Sequence, residues 1–277
     1  SSHFNSCRCS YRRLEGKEAC PAMVRYHTFN WEDAPLAHWS APAAGVAGYL
    51  LLLPVLHLVM KSRPALELRR ITAFHNFCLS YASLVMCAGT AYELRRRYMT
   101  TGTVEWFFCE SLDTTTAGPL FFWSYVYYLS KYWELFDTVL VMLQKSKVPH
   151  MKLQIYHHAA VVPMAWFWCQ YQQSLQWGGL LFNTFVHILM YSYYCCRVMG
   201  WKTPWKRYIT MLQIVQFVTS FILLLITCWM WLQRRQEGST CAGMQSLLYN
   251  CAFNATLLLQ FVEVYKKGGG AAKGKTT

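Results

Sequence analysis

Residues 131–143 read KYWELFDTVLVML, a run greasy enough to enter a bilayer that nonetheless carries Lys131, Glu134 and Asp137. Two further runs of the same kind follow: LQIYHHAAVVP at 153–163 and NTFVHILMYSYY at 183–194. An ionisable side chain at membrane depth costs about 2.5–3.5 kcal/mol on insertion scales for Asp or Lys, so it seldom sits there without a task. Three successive apolar segments bearing lysine, carboxylate and imidazole therefore predict a site built inside a membrane bundle.

Outward from these runs the apolar pattern repeats along most of the 277 residues, of which 55% are hydrophobic and 17% aromatic. A spanning helix requires about 20 mostly apolar residues. The candidates fall at 42–60, 71–94, 117–143, 150–171, 177–199, 206–232 and 241–265. The expectation is an all-α polytopic membrane protein with seven transmembrane helices, preceded by a segment at 1–41 and followed by a basic tail at 266–277. The mean hydropathy of +0.16 is low for such a protein because basic loops and buried polar groups dilute it.

A net charge of +13 would suit a nucleic-acid binder, but its placement favours a membrane. Seven spans put the termini on opposite sides. One set of loops and the tail carry Lys61, Arg63, Arg69, Arg70, Lys145, Lys147, Lys152, Arg197, Lys202, Lys206, Arg207, Lys266, Lys267, Lys273 and Lys275. The other set carries Arg95, Arg96, Arg97, Arg234 and Arg235. Positive residues collect on the cytoplasmic side, which predicts a cytosolic C-terminus. Residues 1–22 are polar, have no apolar core of signal-peptide length and precede the first methionine, Met23, so they read as a leader or extension. The terminal KGKTT resembles the dilysine retrieval signal of endoplasmic-reticulum membrane proteins. Asn254-Ala255-Thr256 fits a glycosylation acceptor but lies within the last apolar run, out of reach of sugar transfer.

Most of the twelve cysteines fall within spans, where cysteine behaves as a small hydrophobe. Cys109 and Cys241 both fall in loops on the non-cytosolic side. A bridge between them would tie the 95–116 loop to the 233–241 loop in an oxidising compartment.

On the third span Lys131, Glu134 and Asp137 follow at i, i+3, i+6, so Glu134 could bridge the other two, either as a site or as a packing ladder. On the fourth, Gln154 is one turn from His157 and His158, and imidazole serves as nucleophile, general base or metal ligand near neutral pH. On the fifth, Asn183 stands one turn before His187, with Met190, Tyr191 and Tyr194 continuing that face. Thr210, Gln213 and Gln216 form a polar stripe on the sixth. His157, His158 and His187, with His150 at a span's edge, are too few for the dinuclear iron centre of membrane desaturases, and no metal is expected.

Taken in order, the boxes resemble those of the very-long-chain fatty acid elongase family. Lys131 to Thr138 is similar to its K-x-x-E-x-x-D-T box, Asn183 to Tyr194 to N-x-x-x-H-x-x-M-Y-x-Y-Y, and Thr210, Gln213 and Gln216 to T-x-x-Q-x-x-Q. The family's H-x-x-H-H box is here Q-x-x-H-H, with Gln154 at its first position, a variant similar to elongases of microalgae and other lower eukaryotes acting on polyunsaturated chains. The resemblance implies condensation of a long-chain acyl-CoA with malonyl-CoA to give 3-ketoacyl-CoA, CO2 and CoA, in an acyl-chain tunnel whose blind end lies between the sixth and seventh spans. It implies an endoplasmic-reticulum location and no cofactor. The ketoreductase, dehydratase and enoyl reductase of the cycle are implied partners, and a homodimer is compatible with it.

On this reading His157 takes the acyl group as an acyl-imidazole, His187 is partner base or second contact, and His158 orients the site. Lys131, Asn183 and Gln154 are candidates to stabilise the malonyl enolate, while Glu134 and Asp137 hold Lys131 and the histidines. Tyr191, Tyr194, Gln213 and Gln216 complete the expected substrate-binding set. Lys145, Lys147, Lys202, Lys206 and Arg207 could bind CoA phosphates. Two alternatives remain: a seven-helix lipid receptor or transporter, and a metal-dependent membrane lipid oxidase or desaturase.

Overall fold

The structure, a computed structural model, describes residues 26–147 and 150–273, with side chains as far as residue 266. The leader reading of 1–22 and the dilysine reading of the terminal side chains lie outside the described residues. Among the described residues there are nine helices and no strand: α1 (Ser40–Lys61), α2 (Arg69–Thr101), α3 (Glu105–Phe108), α4 (Pro119–Glu134), α5 (Phe136–Leu143), α6 (Met151–Gln170), α7 (Gln176–Met199), α8 (Lys206–Gln236) and α9 (Met244–Lys273). One isolated bridge pairs Asn30 with Ala117.

By length and composition α1, α2, α8 and α9 qualify to cross a membrane. The helices between them, α4 to α7, carry the ionisable and amide groups described above. Leu51, Leu58, Phe74, Leu225, Leu248 and Leu259 are each about two-thirds to three-quarters exposed, while Lys131, Glu134 and Gln176 are almost wholly buried. An apolar exterior around a polar interior suits hydrocarbon rather than water as the surrounding solvent.

Two departures from the sequence expectation bear on the site. The run at 117–143 is not one helix: Leu135 N–H bonds Tyr132 O at 3.3 Å, a tightened i→i−3 turn that separates α4 from α5. Arg95, Arg96 and Arg97 are not in a loop but in the last turns of α2. There Arg97 forks onto Glu110 at 2.7 and 2.8 Å and lies over the Trp106 ring at 4.3 Å.

Two ends can be told apart. At the basic end, Arg69 donates to Val198 O at 2.8 Å and Met199 O at 2.6 Å, satisfying final carbonyls of α7 before Gly200 turns the chain at φ 86°. At the opposite end Cys109 and Cys241 are disulfide-bonded, their Cα atoms 4.9 Å apart, joining the stretches expected from sequence. Residues ahead of α1 pack there as well. Phe29 and Trp31 are buried in the core, and Trp31 Nε1 donates to Gln170 Oε1 at 3.0 Å.

Candidate active site

α4, α5, α6 and α7 bring the three boxes together in the interior. Lys131 Nζ lies 2.6 Å from Glu134 Oε1, donates to Asn183 Oδ1 at 3.2 Å, and sits over the Tyr127 ring at 4.0 Å. Tyr127 OH also donates to Asn183 Oδ1, at 2.9 Å. A buried ammonium is tolerable only with such partners, since desolvation otherwise exceeds what one ion pair returns. Asn183 Nδ2 faces His187 Nε2 at 3.3 Å. The amide donates, so Nε2 accepts and the ring proton belongs on Nδ1, which points at Glu134 Oε1 at 3.6 Å. Asn183, one turn before His187, thus sets its tautomer.

Asp137 does not complete a ladder through Glu134, contrary to the i, i+3, i+6 reading. The break at Leu135 turns it to a different set of partners. His75 Nε2 is 2.6 Å from Asp137 Oδ1, Tyr191 OH donates to Oδ2 at 2.8 Å, and His158 Nε2 lies 3.9 Å from Oδ2. His75, on α2, was missed from sequence: a lone histidine in an apolar run reads as core, and only the packing of α2 on α7 brings it near. Tyr49 is a second such residue, bonding Thr138 Oγ1 at 2.9 Å. Gln154 reaches the same hydroxyl at 3.4 Å.

Between α6, α7, α8 and α9 lies a cavity enclosing about 810 Å³ of space, its mouth included. Of the expected residues, His157, Asn183 and Gln216 stand on its wall. His187, His158, Lys131, Asp137 and Gln154 are not on the wall; they form the layer behind Asn183 and His157. His157 stacks on Phe253 with ring centroids 5.9 Å apart, and its Nδ1 is buried without a hydrogen-bond partner. His158 is 5.5 Å away, edge on. Below His157 the wall is mainly apolar, formed by Val161, Met164, Trp168, Gly178, Gly179, Leu224 and Leu247, with the amide of Asn250 among them. Of the remaining expected residues, Gln213 donates to Met190 Sδ at 3.7 Å, and Tyr194 is 43% exposed, packed edge-on against Tyr191. The wall also holds Cys251, Ser220 and Asn250, which sequence reading did not single out, and Asn254, which it read only as part of a glycosylation pattern.

An imidazole free of partners at the head of a narrow apolar cavity can attack, or accept a proton from, a group whose hydrocarbon tail fills the space below. Comparison with known protein families matches residues 34–275 to ELO, the GNS1/SUR4 family. Fatty acid elongase sre1 of Dictyostelium discoideum is 32% identical over 240 residues, covering 86% of this chain and 87% of its own. Fatty acid elongase A of the same organism is 29% identical over 255 residues, covering 88% and 91%. Fatty acid elongase 5 of Trypanosoma cruzi is 26% identical over 236 residues, covering 83% and 85%.

Proposed function

This chain belongs to the ELO (GNS1/SUR4) family, and from that premise we propose how its residues divide the work of condensation. The protein is a multi-pass membrane enzyme of fatty acid elongation. It joins an acyl-CoA to malonyl-CoA, releasing CO2 and CoA and leaving a 3-oxoacyl-CoA. His157 is the acyl acceptor in our reading. The observation that carries this is its position at the head of the α6–α9 cavity with a ring nitrogen unpartnered. The apolar walls from His157 down to Trp168 run eleven residues along α6, a depth of about 16 Å at 1.5 Å per residue. An acyl chain lying there places its thioester carbon at the imidazole.

His187 is positioned through Asn183 rather than exposed to substrate, so it acts on the amide that faces the cavity. Lys131 and Glu134 fix Asn183 from behind. Asp137 holds His75 and Tyr191 and stands beside His158, a second frame that keeps the α6 histidines in register. Seven crossings follow if α4 and α5 together make one span and α6 and α7 two more. The basic end then faces the cytosol, where CoA thioesters arrive, and an endoplasmic-reticulum membrane fits the charge placement. The Q-x-x-H-H box favours polyunsaturated acyl chains, with Gln154 a positioning amide. The cycle's ketoreductase, dehydratase and enoyl reductase are the partners this assignment requires.

The test is incorporation of labelled malonyl-CoA into lipid by the full-length protein in microsomes, with a panel of saturated and polyunsaturated acyl-CoAs. His157→Ala abolishes incorporation and Cys251→Ser preserves it. Undiminished label from His157→Ala sinks the acyl-imidazole, and loss of label in Cys251→Ser transfers the acceptor role to the thiol on the same wall.

A further inference from the structure

The cavity wall carries a hydrogen-bonding pair outside every box described above. Asn254 on α9 donates from Nδ2 to Ser220 Oγ on α8 at 3.1 Å, and Ser220 donates its own proton to Phe217 O at 2.7 Å. A hydroxyl has one proton. Since that of Ser220 is already used, its oxygen can only accept from Asn254, which sets the amide with Nδ2 toward α8. The second Nδ2 proton has no partner among the hydrogen bonds of the described residues, and both side chains line the cavity.

The height of this pair is set by contacts on either side. Phe253 stacks on His157, and Tyr156 OH pairs with Thr256 Oγ1 at 2.7 Å, so the α9 turn bearing Asn254 stands beside the α6 turn bearing His157. Of the box donors near His157, Lys131 and Asn183 are otherwise engaged, while Gln216 shares the wall with Asn254. Lys131 is held by Glu134 and Asn183 behind the wall, and the Asn183 amide nitrogen faces His187. An acyl carbonyl at the level of His157 would find Asn254 within the same ring of polar groups.

We propose that Asn254 is a catalytic residue that donates a hydrogen bond to the acyl carbonyl oxygen, with Ser220 as its positioning residue. This rests on the reading of His157 as acyl acceptor. A ring nitrogen of His157 bonds to the carbonyl carbon and the π pair moves to oxygen. Collapse of that oxyanion re-forms C=O and breaks C–S, and the departing thiolate takes the proton that the imidazole gives up, leaving acyl-imidazole and CoA thiol. Malonyl-CoA then loses CO2, the freed electron pair makes the enolate carbon a nucleophile, and it attacks the same carbonyl. The second oxyanion expels the imidazole, which takes up one proton. One donor at Asn254 serves both oxyanions, the arrangement in which such donors contribute most.

The test follows CoA thiol release from an acyl-CoA supplied without malonyl-CoA to the purified full-length enzyme. Wild type releases up to one equivalent. Asn254→Leu slows that release by about 10²–10³-fold, the usual effect of removing one oxyanion donor. Half-saturation by acyl-CoA changes by less than about threefold, because the contact tightens only in the transition state. Ser220→Ala slows release by about tenfold on the same reasoning, and Ser220→Thr restores it. Release by Asn254→Leu at the wild-type rate overturns the proposal. If that variant does not accumulate, Asn254→Asp keeps the shape, removes the donor and is held to the same criterion. Release that persists in His157→Ala refutes the acceptor instead. Asn254 is then judged by the kcat of the full condensation in Asn254→Leu, since an oxyanion forms on that carbonyl whichever group takes the chain.

Discussion

Removing one partner of the buried pair Lys131–Glu134 is expected to cost far more than removing both. Lys131 is 1% and Glu134 2% exposed, with Nζ and Oε1 2.6 Å apart. In Lys131→Met the Glu134 carboxylate keeps only Ser130 Oγ at 3.3 Å and His187 Nδ1 at 3.6 Å, while its Oε2 already has no hydrogen-bond partner. Leaving such a charge uncompensated costs about 3–5 kcal/mol. With an unfolding entropy of about 2.1 cal/mol/K per residue, that lowers the melting temperature by roughly 5–9 °C. Glu134→Gln strands the ammonium with Asn183 Oδ1, the Tyr127 ring and a neutral amide, and falls in the same range. The double variant Lys131→Met/Glu134→Gln removes both charges and costs no more than about 1–2 kcal/mol, so against singles of about 3–5 kcal/mol each the coupling in the cycle is at least about 4 kcal/mol. Condensation activity is not recovered, because Asn183 has lost its anchor in either case. The assay is thermal unfolding of detergent-purified protein for the four members of the cycle, with condensation rate measured alongside. Additive losses in the double variant would refute the argument that desolvation dominates at this pair.

Three further outcomes follow from the geometry. Breaking the Cys109–Cys241 bond with reductant, or in Cys109→Ser, destabilises by about 5 kcal/mol on the loop-entropy estimate for a separation of 132 residues, read as a fall in melting temperature. Gly179→Ala puts a Cβ 2.8 Å from Trp168 Cη2. The ring must move within the cavity or the helices part, at about 1–3 kcal/mol, and the product spectrum shifts to shorter chains by gas chromatography. His75→Leu leaves Asp137 without its 2.6 Å partner, costs about 1–3 kcal/mol, and lowers kcat more than it raises the KM for acyl-CoA.

The apolar runs located the helices well because periodicity and length are local properties. α6, α7 and α8 begin within a residue of their expected starts, and the end of α1 is one residue from its own. What could not be read is where rows on different helices meet. Spacing put Glu134 and Asp137 on one ladder, and a single tightened turn at Leu135 separated them. His75 and Tyr49 acquire roles only through α2 and α1, whose runs contain no box at all. Ser220 drew no reading and Asn254 only that of a glycosylation pattern, thirty-four positions apart, until α8 and α9 set them at 3.1 Å.

The break at Leu135 is also what lets two carboxylates three residues apart hold different frames. Along an uninterrupted helix, Glu134 and Asp137 would share a face and a single cation, and two anions on one buried ammonium leave a charge unmatched. With the turn tightened, Glu134 faces Lys131 and His187 and so fixes the α7 side through Asn183. Asp137 takes His75 and Tyr191 and lies beside His158, which follows His157 directly on α6. Each carboxylate thus steadies one of the two wall residues, Asn183 and His157, that face the cavity. A substitution at Leu135 that relaxed the turn should therefore disturb both frames at once, lowering kcat while leaving the apolar walls and hence chain-length preference unchanged. A variant such as Leu135→Ala that altered product length instead would show that the turn shapes the tunnel rather than the frames.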